Sequence, residues 1–220
     1  MSSPRPAGLL APLAGVTLFA AVLQLVRLPF RWSAITVAYA SYFKEYQHNI
    51  EVEGWAAAFT TFVGLHPPLY SLIFHASESA ELPPLAWLLT SALFSIAAVP
   101  LLSFAGRALI PDGRSLALLA GLCLAVSPQR NAYGLEVNNY PLLMMMSSLQ
   151  LLAFSRFAER LETNQLRSRD AALWAGATAA LLWTHVLGVA LPASQTIILL
   201  STSLGRHRLK LALPWLLGSA

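Results

Sequence analysis

With 220 residues, 56% hydrophobic and 11% charged, the chain carries too few charged side chains to cover a soluble globule, where roughly a quarter of residues are charged. An ordinary water-soluble domain is excluded, and lipid is expected around much of the surface. The formal charge of +4 and a pI near 9.6 do not signal nucleic acid, because the basic residues lie between apolar runs and no basic patch with interleaved aromatics exists.

The first apolar run, about Leu9 to Val26, follows Arg5 and shows no convincing small-residue cleavage site. It reads as a retained transmembrane helix near residues 8–28 and not as a leader. Residues 29–84 then form a first extracytoplasmic loop too long for a simple connector. Within it Ile50, Trp55, Phe59, Phe62 and Val63 recur at helical spacing, which suits a helix lying on the membrane interface or an ordinary packed surface helix. The loop closes on Gly64-Leu65-His66-Pro67-Pro68-Leu69-Tyr70. Proline belongs in a first helical turn, and a helix N-terminus beside His66 can hold a phosphate or carboxylate, although capping alone also accounts for the segment.

Further spans are expected near 85–106, 115–128, 139–157, 171–187 and 188–204, with a seventh beginning near Leu211 and stopping at Ala220. The third and fifth are short, so they tilt little or end beside a cavity below the membrane surface. Cys123 is the lone cysteine, inside an apolar run; it rules out an intrachain disulfide and reads as a packing residue. The connector Ser127 to Pro141 is unusually polar and contains Arg130, Glu136, Asn138, Asn139 and Tyr140. Asn138 or Asn139 can cap the following helix and Pro141 can sit in its first turn. His185, in Trp183-Thr184-His185-Val186-Leu187-Gly188, is an ionisable group in an apolar setting, either functional or bonded to a neighbouring carbonyl.

If the N-terminus is cytoplasmic, the inner segments hold Arg5, Arg107, Arg114, Arg156, Arg160, Arg167, Arg169, Arg206, Arg208 and Lys210, leaving Arg27, Arg31, Lys44 and Arg130 outside. This asymmetry sets the orientation, since the alternation of spans had no need to sort the charges. The unusual polar segments then converge on the outer face. The expected fold is an all-α polytopic transmembrane bundle, a single integral membrane domain over 1–220, ending inside an apparent helix as part of a longer protein or of a split one would.

In this order and spacing, His66 to Tyr70, the stretch Ser91 to Arg107, Ser127-Pro128 with Leu135 to Tyr140, and Thr184-His185 with Gly188 resemble the polyprenol-dependent GT-C glycosyltransferases. The likeness is to bacterial relatives of protein O-mannosyltransferases and aminoarabinose transferases, and it covers roughly residues 60–190. It implies a GT-C-like N-terminal module in the bacterial inner membrane. Such a module transfers a sugar from a polyprenyl-phosphate donor to a glycan, lipid or protein acceptor at the extracytoplasmic face. This chemistry needs a carboxylate for the acceptor hydroxyl and donors or cations for the departing phosphate. Glu136 and Glu45 are the candidate carboxylates; His66, Arg130, Tyr140, His185 and Asn138 are the candidates on the phosphate side.

The chain departs from the family pattern in the first loop, where relatives carry an Asp soon after the first span, commonly following a Trp. Here Trp32 is followed by Ser33-Ala34-Ile35, and the loop up to His66 holds no Asp. Glu45 is the substitute, with Glu51 and Glu53 behind it. With no Asp-rich motif, no divalent metal is predicted. The same departure motivates an alternative, a catalytically degenerate relative acting as a binding or structural subunit with a partner. A small-solute transporter is the weaker third reading, because transport sites usually lie at the bilayer midplane.

Overall fold

The structure, a computed structural model, describes residues 7–31, 69, 70, 72, 73, 76, 80, 83–110 and 113–201. Among these there are helices and turns and no strands. Glu45, His66, the 50–63 stretch and the run from Leu211 lie outside the described residues. Helix α1 (Ala7–Leu25) is followed by a short α2 (Leu28–Arg31); α3 spans Pro84–Leu109, α4 Arg114–Val126, α5 Pro128–Tyr133 and α6 Asn139–Glu162. The chain continues through α7 (Ser168–Leu182), a 3-10 turn (Val186–Val189) and α8 (Ala190–Ser201).

Helices α3 and α6, about 39 and 36 Å long at 1.5 Å per residue, pack along each other, with α1 and α4 against α3 and α7 against α6. These two are long and apolar enough to cross a membrane. The chain runs up and down, so one end of the bundle gathers the C-termini of α1, α4 and α7 with the N-termini of α3, α6 and α8. The opposite end carries Arg107, Arg114, Arg156, Arg160, Arg167 and Arg169.

Composition explains how each contact closes. Between α1, α3 and α4 the buried side chains are Ala20, Val99 and Ala125, small enough for backbones to approach closely, as membrane helices do when apolar burial gives no preference for protein over lipid. Between α6, α7 and α8 the packing is larger, with Phe154, Phe157 and Leu161 against Ala171, Trp174 and Leu199. Beside that cluster, Gln150 and Gln195 exchange side-chain bonds of 2.6 and 2.8 Å, and Trp174 Nε1 donates to Gln195 Oε1 at 3.0 Å. Outward, Leu18, Leu93, Leu173, Leu187 and Ile197 stand exposed. Cys123 is exposed as well, on α4, and not packed as expected.

One buried cation joins the small-residue half to the polar end. Arg130 is 0% exposed, and its guanidinium donates from Nη2 to Ala20 O of α1 at 3.0 Å, from Nε to Ser95 O of α3 at 3.3 Å and from Nη1 to Ala125 O of α4 at 2.9 Å. Gln24 completes the clamp, its Nε2 donating to Ser95 Oγ at 3.3 Å and to Arg130 O at 3.1 Å. Gly134 must be glycine-sized here, because a Cβ would run into Gln24 Nε2, Ser95 Oγ and Arg130 O. The planar five-donor fork is what reaches three carbonyls on three helices.

Arg130→Lys is therefore expected to lower thermal stability, since one ammonium on a straight stem cannot reproduce three divergent bonds; a melting curve in detergent equal to wild type would count against the clamp. Gln195→Leu should cost about 1–2 kcal/mol by stranding Gln150 and the Trp174 N–H. The Gln150→Leu/Gln195→Leu pair should recover part of that loss in the same measurement.

Candidate functional site

The polar end of the bundle is assembled from three stretches far apart in sequence, and main-chain and side-chain bonds tie them together. Leu69 N, directly after His66-Pro67-Pro68, donates to Trp183 O at 3.1 Å. Asn139 Nδ2, in the first turn of α6, donates to Thr184 O at 3.0 Å. The segment after the His-Pro-Pro motif, the Glu136 to Tyr140 segment and the Thr184-His185 turn thus meet around Trp183 and Thr184. Beneath them Tyr70, Trp87 and Leu142 form a buried apolar floor, packed by Val137, Phe94 and Met146 among others. Tyr70 Oη lies 3.3 Å from Ser91 Oγ.

Local sequence dictates each piece. Ser127 Oγ accepts from Arg130 N at 3.1 Å and Pro128 occupies the first turn, so the expected polar connector begins as the short helix α5. Asn138, not Asn139, caps α6: its Oδ1 accepts from Tyr140 N at 2.9 Å. Its Nδ2 donates to Glu136 Oε2, which makes Asn138 the link between the carboxylate and the helix start. Asn139 is left to turn inward and hold Thr184.

The expected spans 171–187 and 188–204 part at Leu182, about five residues earlier than expected. Thr184 Oγ1 bonds back to Ala180 O at 2.8 Å. His185 then adopts an extended backbone, φ −161° and ψ 139°, and caps the 3-10 turn by accepting from Leu187 N at its Nδ1, 3.1 Å away. The tight return depends on Gly188, where a Cβ would press on Leu181.

An acceptor at Nδ1 fixes the neutral tautomer with the proton on Nε2. Burial pushes His185 below its usual value of 6.5, so the imidazole is neutral at pH 7. Its ring stacks on Tyr140, with centroids 5.8 Å apart and planes at 29°. Tyr140 in turn meets Tyr133 at 4.8 Å and 40°. Tyr140, His185, Asn138 and Glu136 therefore form one linked group, the first two through their rings and the last two through the side-chain bond.

Arg130 differs from the other expected phosphate ligands, because its guanidinium is committed to three main-chain carbonyls. Glu45 and His66 fall outside the described residues, and among the described residues no group of three or more His, Cys, Asp or Glu side chains could hold a metal ion. Asn139, Gln24 and Tyr133 were not among the expected site residues, although Asn139 and Tyr133 lie in the connector expected at this end. Asn139 competed with Asn138 for the same capping role, Gln24 lay inside a helix pattern, and Tyr133 lay in the polar connector with no pattern to single it out.

No curated protein and no solved structure matches the chain. Residues 65–220 match the family model described as dolichyl-phosphate-mannose-protein mannosyltransferase, a stretch that begins at the His-Pro-Pro segment and takes in the whole polar end except the α1 residues of the clamp. The chain belongs to that family, whose members are membrane-integral glycosyltransferases of the GT-C kind.

Proposed function

We propose that the chain is a polytopic membrane glycosyltransferase, which moves a sugar from a polyprenyl-phosphate donor to an acceptor at the extracytoplasmic face. The observation that carries this reading is the joining of the Leu69, Glu136 to Tyr140 and Trp183 to His185 segments at one end of the bundle. In this reading α1, α3, α4, α6, α7 and α8 cross a bacterial inner membrane, with exposed leucines and isoleucines facing lipid. The arginine-rich end is cytoplasmic, as basic residues favour.

The reaction would be an inverting displacement. The acceptor hydroxyl oxygen attacks C1 of the sugar, the C1–O bond to the phosphate breaks, and the electron pair leaves with polyprenyl phosphate. Glu136, or Glu45 from the first loop, takes the hydroxyl proton or orients the hydroxyl. Negative charge grows on the departing phosphate, where preorganised N–H and O–H donors matter most. His185 and Tyr140 are the side chains assigned to the phosphate side, and His66 is a further candidate by sequence. Asn138 positions Glu136, and Arg130 acts through the helices it clamps. The donor lipid is the only co-substrate in this scheme, and no metal is assigned a role.

The degenerate-subunit reading rests on Ala34 standing where relatives carry an acid. It separates from the first in a transfer assay with a polyprenyl-phosphate sugar and the membrane-inserted protein. Glu136→Gln should keep the bond to Asn138 and lose roughly 100-fold or more in rate, and Glu45→Gln should likewise lose activity. Full activity in both variants rejects the carboxylate assignment, and an inactive wild type given donor and acceptor favours the subunit.

A second expectation concerns pH. Because folded His185 resists protonation, its contribution to stability is complete above about 6.5, the ordinary value. It is lost progressively as the pH falls from there through the lower folded value, since the unfolded chain gains the proton first. Melting temperatures of wild type minus His185→Gln, measured from pH 8 to 5, should decline below 6.5. A flat difference would contradict the lowered proton affinity of folded His185.

A further inference from the structure

We propose that Tyr133 is the stacking surface for the pyranose ring of the lipid-linked donor, an assignment that rests on the glycosyltransfer reading. Tyr133 ends α5, and 39% of it is exposed, while one side of its ring meets Tyr140 at 4.8 Å. That contact continues to His185 at 5.8 Å, so the exposed ring is the outermost member of a three-ring ladder whose inner member is the proposed phosphate donor group.

An aromatic face carries negative charge density and attracts the slightly positive C–H edges of a sugar ring, while hydroxyls around that ring seek polar partners. Polar partners flank Tyr133 on the same turn. Glu136 N donates to Tyr133 O at 3.0 Å, so Glu136 and its partner Asn138 follow directly on the turn that Tyr133 begins. An exposed ring next to a turn bearing a carboxylate and an amide suits a pyranose better than a lipid chain, which would have no use for Glu136.

The platform is also held in advance. The Ser127 cap fixes the first turn of α5, Arg130 beneath it is bonded to three helices, and Gly134 N donates to Arg130 O at 2.8 Å directly after Tyr133. Little ordering remains to be done when a ligand arrives, so a modest stacking contact can register as affinity. The ladder's order gives a direction to the bound donor: sugar over Tyr133, phosphate toward His185. A tyrosine at a bilayer surface can instead be an anchor at headgroup level, and the two roles differ in what they recognise.

The experiment compares binding of polyprenyl-phosphate mannose with that of bare polyprenyl phosphate by the intact, detergent-solubilised protein. Wild type should bind the sugar-bearing lipid more tightly. Tyr133→Leu should shrink that difference about three- to tenfold and leave the affinity for bare polyprenyl phosphate unchanged, whereas Tyr133→Phe should preserve it. Tyr133→Met, unbranched and able to fill the same space, is the second non-aromatic arm should the leucine variant fail to fold. An equal loss for both lipids marks an interface anchor and overturns the proposal. So does an undiminished sugar-dependent difference in both non-aromatic variants with transfer intact. A wild type that neither discriminates the two lipids nor transfers sugar removes the glycosyltransfer reading itself.

Discussion

The polar end of this bundle depends on a buried charge that is satisfied only by backbone. A guanidinium withdrawn from water is costly unless its donors find acceptors, and Arg130 finds carbonyls on α1, α3 and α4. Ala125 lies in the last turn of α4, where carbonyls lack helical partners and the helix end is partially negative, so the cation and the helix terminus complete each other. Everything above the clamp is arranged relative to it: α5 carries Arg130 itself, Gly134 follows against Gln24 and Ser95, and the Glu136 to Tyr140 segment leads straight into α6. A residue that looked on charge alone like a phosphate ligand thus works through the scaffold.

Helix positions were legible because apolar runs and proline marks coincide. Pro84 opens α3, and the expected 85–106, 115–128 and 139–157 spans appear as Pro84–Leu109, Arg114–Val126 and Asn139–Glu162. The extension of α6 past 157 comes from Glu159, Arg160 and Glu162, which suit a helix in water but carry no apolar signal. The break after Leu182 was misplaced for a different reason. Apolar residues resume at Val186 directly after Thr184-His185, and the capping by His185 and the close approach at Gly188 turn the chain there. Periodicity contains neither fact.

Convergence of these residues was legible as one end of the bundle and not as a geometry. Counting spans put Glu136, Tyr140 and His185 on one face; it could not show that Asn139 would reach Thr184 or that Tyr140 would lie over the imidazole. Those contacts depend on which of two adjacent asparagines faces inward, a choice made by the cap at Asn138 and invisible in composition. The tautomer of His185 followed in the same way, from a neighbouring main-chain N–H that no spacing rule places.

The unequal lengths of the helices bear on the surrounding lipid. Helices α3 and α6 have 26 and 24 residues, whereas α4 and α7 have 13 and 15, or roughly 20–23 Å against a hydrocarbon layer of about 30 Å. In a bilayer the long pair matches the hydrocarbon layer and the short helices do not, so lipid beside α4 and α7 must thin to meet them.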